Sequence, residues 1–171
     1  TARETSDKTE MISRLTARLQ AMAAAQDLLI ASGTDATTLE DLLCAETDQI
    51  GQISTRLSGP AVALTAQQTH ALALVFHELA TNALKYGAGI QEQGRLDIKW
   101  AVEQLQEGHQ LRLLWQESIP AAAAPMSGPG SGSSSGFGTR LLALMVEEEL
   151  SGTIERRFSD GELTVEIRVP L

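Results

Sequence analysis

The 171-residue chain carries 22 acidic and 13 basic side chains, a formal net charge of −9 with histidine neutral; nucleic acid and anionic membrane surfaces both need a surplus of Lys and Arg, so neither is expected as a partner. At 43% hydrophobic and 20% charged residues the composition is globular and long enough for one compact domain plus an appendage. The single Cys44 excludes an intrachain disulfide framework and a cysteine-rich zinc site and fits a reducing, cytoplasmic setting, while no apolar run approaches the ~20 residues of a membrane span.

Thr1 stands where a whole chain would begin with Met, so the sequence is expected to be a piece of something longer. From Asp7 to Ala31, Ile12, Leu15, Leu19, Met22 and Leu29 recur at alternating steps of three and four, with Gln26 in the remaining seam position. This heptad seam predicts one long helix, opened by Asp7 with Glu10 and closed at Gly33. It would pack on another helix, a homodimer being one such arrangement, or lie on its own domain.

A second helix is predicted from Thr37, with Glu40 in the capping-box position, through Leu39, Leu42, Leu43 and Ile50; Asp41, Glu46 and Asp48 fall on its expected solvent face. Short edge structure is expected between Gly51 and Ala66, around the Gly59-Pro60 turn. Thr65 with Gln68 opens a third helix, striped by Leu72, Val75, Phe76, Leu79, Ala83 and Leu84 and ended by Gly87 and Gly89.

Beyond it the period changes to two. Leu96, Ile98, Trp100 and Val102, then Leu111, Leu113 and Trp115, alternate with polar residues on either side of a turn at Gly108, a β-hairpin with one buried face. Ser118 to Ser135 is rich in Ala, Pro, Gly and Ser, a linker by composition alone. The remainder, a helix from about Thr139 to Leu150 closed by Gly152 and two strands joined at Asp160-Gly161, is too small to stand alone, so the segment is read as a mobile loop within one domain. There is no internal repeat.

The third helix carries polar groups off its apolar stripe. Glu78, Asn82 and Lys85 stand at i, i+4 and i+7, which lines them along one face. A carboxylate, an amide oxygen and an ammonium are what a magnesium-nucleotide needs: a base or orienter, a hard metal ligand and a charge for phosphate. The alternative is the wet side of an amphipathic helix. Downstream, Gly136-Phe137-Gly138-Thr139-Arg140 opens a helix, where backbone N–H groups approach phosphate closely and Arg140 adds a formal charge.

The order of asparagine helix, acidic strand end, loop, glycine-rich helix start and final hairpin resembles the ATP-binding domain of the GHKL superfamily. Within it, His77-Glu78-Leu79-Ala80-Thr81-Asn82 and Trp115-Gln116-Glu117 are similar to the two motifs for which the HWE family of bacterial sensor histidine kinases is named. Residues 14–29 also look like the second helix of that family's dimerisation and phosphotransfer region. The resemblance implies an α+β fold of Bergerat type: a two-layer sandwich with a mixed, mostly antiparallel sheet and helices on one face, preceded by a dimerisation-type helix. Residues 1–33 would be the second half of the helical hairpin and 34–171 the catalytic domain, with an ATP lid at 118–138.

The resemblance further implies roles. Asn82 would be the magnesium ligand and Glu78 the carboxylate that orients or activates the attacking imidazole, with His77 as a second catalytic candidate. Lys85 and Tyr86 would line the nucleotide pocket, and Glu117 would accept the adenine amino hydrogen bond that most relatives give to Asp. Gly136, Phe137, Gly138 and Thr139 would form the glycine motif of the lid, with Arg140 beside it, and Thr164 would stand near the adenine. Ser118, Ile119 and Pro120 depart from the family, which places glycines after the acidic residue.

None of His70, His77 or His109 has the basic setting of the family's acceptor histidine, so the acceptor is expected upstream of Thr1. The implied partners are ATP with Mg2+, an upstream acceptor helix and sensor region, and a response-regulator receiver domain. A non-catalytic module that dimerises around a vestigial pocket, and a serine kinase of the anti-sigma type, are the alternatives.

Overall fold

In the computed structural model the described residues are 37–51, 53–90, 94–118 and 137–171, together with positions 16, 19, 23 and 26. Thr16, Leu19, Ala23 and Gln26 are helical and exposed, Leu19 at 60%. The rest of the predicted leading helix, the loop 119–136 and Ile119 within it lie outside the described residues.

Alternating side chains build the sheet. Strands β1 (Thr37–Thr38) and β3 (Ala63–Leu64) form a small antiparallel pair, while β2 (Ser54–Ser58), β4 (Arg95–Gln104), β5 (His109–Ser118), β6 (Thr153–Ser159) and β7 (Glu162–Pro170) make the main sheet in the order β2-β4-β5-β7-β6. Only the β2–β4 pairing is parallel within it. The register stacks apolar residues in rows across one face: Ile98, Trp115 and Val165, then Trp100, Leu113 and Ile167, then Val102, Leu111 and Val169. All but Val102 are buried, each fully buried aliphatic contributing about 1.5–3 kcal/mol relative to exposure. The β6–β7 turn has Asp160 at φ 53° and Gly161 at φ 78°, both left-handed as a two-residue hairpin requires.

Helices cover that face. Helix α2 (Ala66–Tyr86) begins at the expected capping box: Thr65 accepts from Gln68 N–H and the Gln68 side chain accepts from Thr65 N–H. It packs against both α1 (Leu39–Thr47) and α3 (Phe137–Ala143), which continues into a π-helical turn, Leu144–Glu149. The mixed, mostly antiparallel sheet with helices on its buried face is the α+β arrangement expected from the sequence.

Three local expectations are corrected. Helix α1 is capped by Thr38, whose side chain accepts from Asp41 N–H at 3.1 Å, while Thr37, one residue earlier, lies in the small sheet opposite Leu64. Glu46 is not on the solvent face but 1% exposed, since it follows Leu39, Leu42 and Leu43 at helical spacings of seven, four and three. Helix α3 begins at Phe137 rather than Thr139, so Gly138 lies within its first turn.

Candidate functional site

The polar stripe on α2 is present, and it divides. Glu78 is buried, Asn82 half-buried and Lys85 exposed, with Tyr86 59% exposed at the helix end. At about 100° per residue, Glu78, Asn82 and Lys85 fall within about 60° of one another around the axis, whereas His77 stands about 140° from Asn82. His77 faces α1 instead: its Nδ1 lies 3.2 Å from Glu46 Oε2, and the Gln49 amide reaches the same oxygen at 3.5 Å. The helix therefore groups Glu78, Asn82 and Lys85 along one flank, while His77, turned about 80–140° from them, ties α1 to α2.

About one and a half helical turns beyond Asn82, the end of α2 meets the end of β5. Helix α2 stops at Gly87, whose N–H donates to Ala83 O at 3.1 Å. There Glu117, paired across the sheet with Leu96 and Leu163, points to the helical face and is 1% exposed. Its Oε1 accepts the indole N–H of Trp115 at 2.7 Å and its Oε2 accepts Ala88 N–H at 3.4 Å. A Cβ on Gly87 would stand 1.9 Å from Oε2, so the glycine makes room for the carboxylate. The full length of the Glu117 side chain is thus accommodated by bare backbone at the end of α2.

Burial pushes the Glu117 carboxyl above its ordinary range, opposed by the Trp115 and Ala88 hydrogen bonds and by the charge of Arg156. Arg156 was not foreseen. It stands on β6 opposite Val165, on the same face as Trp115 and Glu117.

Thr164 is a correction. It pairs with Gln116, one step from the Glu117–Leu163 pair, and successive residues of a strand face opposite sides. Thr164 therefore lies on the far face of the sheet from Glu117. Phe137, Gly138 and Thr139 open α3 and Arg140 is exposed on it; Gly136 and nearly all of the expected lid at 118–138 lie outside the described residues.

A helix with a buried carboxylate and a half-buried amide thus lies over a mixed, mostly antiparallel sheet whose strand end presents a second buried carboxylate, and the fold that holds them is the one found in histidine kinase catalytic domains. The fold matches that class. The histidine kinase domain of the blue-light activated histidine kinase from Erythrobacter litoralis EL346 gives a TM-score of 0.66 over 92% of this chain and 75% of that one at 18% identity. The catalytic domain of the histidine kinase ThkA gives 0.58 over 80% of this chain and 96% of its own, at 15% identity.

Sequence comparison narrows the class. Residues 1–61 match the family model for HWE histidine kinases. The blue-light-activated histidine kinase of Rhizobium johnstonii is 36% identical over 153 residues, covering 90% of this chain and 42% of that protein. Blue-light-activated histidine kinase 1 of Erythrobacter litoralis is 33% identical over 177 residues, covering all of this chain and 47% of the relative. Over the stretches these matches cover, the chain is similar to the HWE histidine kinases. It spans less than half the length of these two relatives. The family-model match falls on residues 1–61, whereas the His77–Asn82 and Trp115–Glu117 motifs lie beyond them, so two separate parts of the chain point to one family.

Proposed function

We propose that this chain binds Mg-ATP and, as the catalytic part of a sensor histidine kinase, transfers the γ-phosphoryl group to a histidine supplied from outside these 171 residues. The observation that carries the reading is the seat of Glu117: a buried carboxylate, fixed by Trp115 and Ala88, at the end of the helix whose flank bears Glu78 and Asn82. A buried acceptor of this kind suits the exocyclic amino group of adenine.

The donor set also fits magnesium. Among the described residues no group of three His, Cys, Asp or Glu side chains could hold a metal unaided. Magnesium bound largely through phosphate oxygens and water needs few protein ligands, and the Asn82 amide oxygen is one of suitable hardness. When bound, the ion would neutralise charge on the phosphates. Lys85, exposed at the end of the same flank, and Arg140 on α3 add positive charge for the phosphate oxygens.

Glu78, buried on the same flank as Asn82, would orient the attacking imidazole and accept its proton as the N–P bond forms and the bond to the ADP oxygen breaks. Catalysis is then mainly positioning. The phosphoryl group would pass on to a response-regulator receiver domain. The setting would be cytoplasmic.

Titration with a fluorescent ATP analogue in the presence of magnesium tests the binding step. Wild type should bind, and Asn82→Ala should bind at least about tenfold more weakly, as expected for loss of a ligand to the magnesium that bridges protein and phosphates. No binding by wild type, or unchanged binding by Asn82→Ala, overturns the reading. Extending the protein upstream through the acceptor helix and labelling with γ-phosphate-labelled ATP should yield acid-labile, alkali-stable phosphate; acid-stable label would mark a serine kinase instead.

A further inference from the structure

Trp115 and Glu117 lie two residues apart on β5, so both side chains leave the same face of the sheet. The indole N–H donates to Glu117 Oε1 at 2.7 Å, and the ring is fully buried, where solvent cannot replace the donor. The Ala88 N–H contact at 3.4 Å is much longer, so the indole is the stronger of the two holds. Gly87 forms a wall behind Oε2, close enough that even a methyl group would collide with it.

Building on the nucleotide reading above, we propose that Trp115 is the specificity-determining residue behind Glu117. Its indole N–H fixes the carboxylate as a pure acceptor, so the site takes a purine bearing an exocyclic amino donor and rejects one bearing a carbonyl at that position.

A carboxylate offers about four lone-pair directions, of which Trp115 and Ala88 take one each. The others can only accept. An adenine amino group satisfies one, whereas the guanine carbonyl would set oxygen against oxygen in a desolvated pocket. Burial already raises the Glu117 carboxyl, and the Trp115 bond is the largest influence holding it down. Without that bond the group protonates more readily, and a protonated acid can donate to a carbonyl. Loss of the indole N–H therefore weakens ATP and admits GTP.

The test uses Trp115→Phe in the full chain, which keeps an apolar aromatic ring and removes the donor. ATP and GTP compete against a fluorescent ATP analogue with magnesium across pH 6–9. The variant should bind ATP about tenfold more weakly, the scale of one hydrogen bond to a charged group. Its ATP-to-GTP ratio should fall by a similar factor. Because binding needs the ionised carboxylate, the loss of ATP affinity on acidification should also begin at higher pH than in wild type.

A merely structural role would weaken both nucleotides alike and leave the ratio and the pH profile in place, which would overturn the proposal while the kinase reading stood. Failure of wild type to bind ATP overturns the kinase reading itself. Should Trp115→Phe not fold, the indole proton resonance of wild-type Trp115, assigned against Trp100→Phe, decides. It should lie downfield and shift as Glu117 titrates, and an indole resonance indifferent to pH overturns the proposal.

Discussion

Gly87 and Glu117 act as a fitted pair. The carboxylate reaches the end of α2 only because Gly87 has no side chain, and Ala88 N–H is then available to it. Gly87→Ala should force Glu117 aside, costing about 1–3 kcal/mol as overpacking of a filled site does, and lowering nucleotide affinity together with the unfolding temperature. Adding Glu117→Asp, which retracts the carboxylate by one methylene, should recover part of both, as read by nucleotide titration and thermal unfolding of the single and double variants. Some of this was legible. Gly87 read correctly as the helix stop, and the two-residue spacing of Trp115 and Glu117 already put them on one face of a strand. What the sequence could not show was the depth at which β5 ends against α2, a tertiary distance with no local signal. Thr164 stands on the other parity, and the final strand carried that signal: Val165, Ile167 and Val169 alternate as its buried set, which leaves Thr164 on the opposite face.

At the scale of elements, α1 and α2 are joined by His77 and Glu46. Glu46 is 1% exposed, and His77, also largely buried, stands 3.2 Å from it, so removing either leaves a buried polar group short of a partner. Glu46→Ala should destabilise the domain by about 1–3 kcal/mol. A double-mutant cycle with His77→Ala should return a coupling of about 0.5–3 kcal/mol, as contacting residues give. Denaturant unfolding of the four proteins measures it; strict additivity would show that the contact carries no energy. Nucleotide affinity should change far less in these variants than in Asn82→Ala, because His77 lies about 140° around α2 from Asn82. Glu46 was misread from its charge, although its spacing from Leu39, Leu42 and Leu43 already placed it on the buried face. Helix α2 and both long hairpins were legible because their periods persist over many residues. Strand β2 was expected only as short edge structure, because Ser54–Ser58 is short and mostly polar and its parallel pairing with β4 leaves no mark in the sequence.

Across the whole molecule the sheet separates two kinds of carboxylate, and their pH responses have opposite signs. On the face away from the helices, Arg112 and Arg168 stand directly opposite each other on β5 and β7, like charges that would repel without Glu166 between them. Glu166 Oε1 accepts from Arg112 Nε at 2.8 Å and from Arg168 Nη2 at 2.7 Å, and the two guanidinium groups hold its carboxyl down to about 2 from an ordinary 4.5. A folded-state value below the unfolded one gives stability that is fully present above about 4.5 and lost as pH falls toward about 2. Glu117, raised by burial on the other face, works the opposite way: its charged form opposes folding at neutral pH, and that penalty disappears as the group protonates on acidification. Glu166→Gln should therefore remove part of the stability lost between pH 5 and pH 2. At pH 7 it should cost about 1 kcal/mol, a drop of roughly 2–4 °C in Tm for a chain of this size. Glu117→Gln should leave that acid limb in place and remove the fall in stability that accompanies ionisation of Glu117 as pH rises. Urea unfolding from pH 2 to 8 separates the two, since a Glu166→Gln protein with the wild-type acid limb would show that the arginine pair does not depend on Glu166.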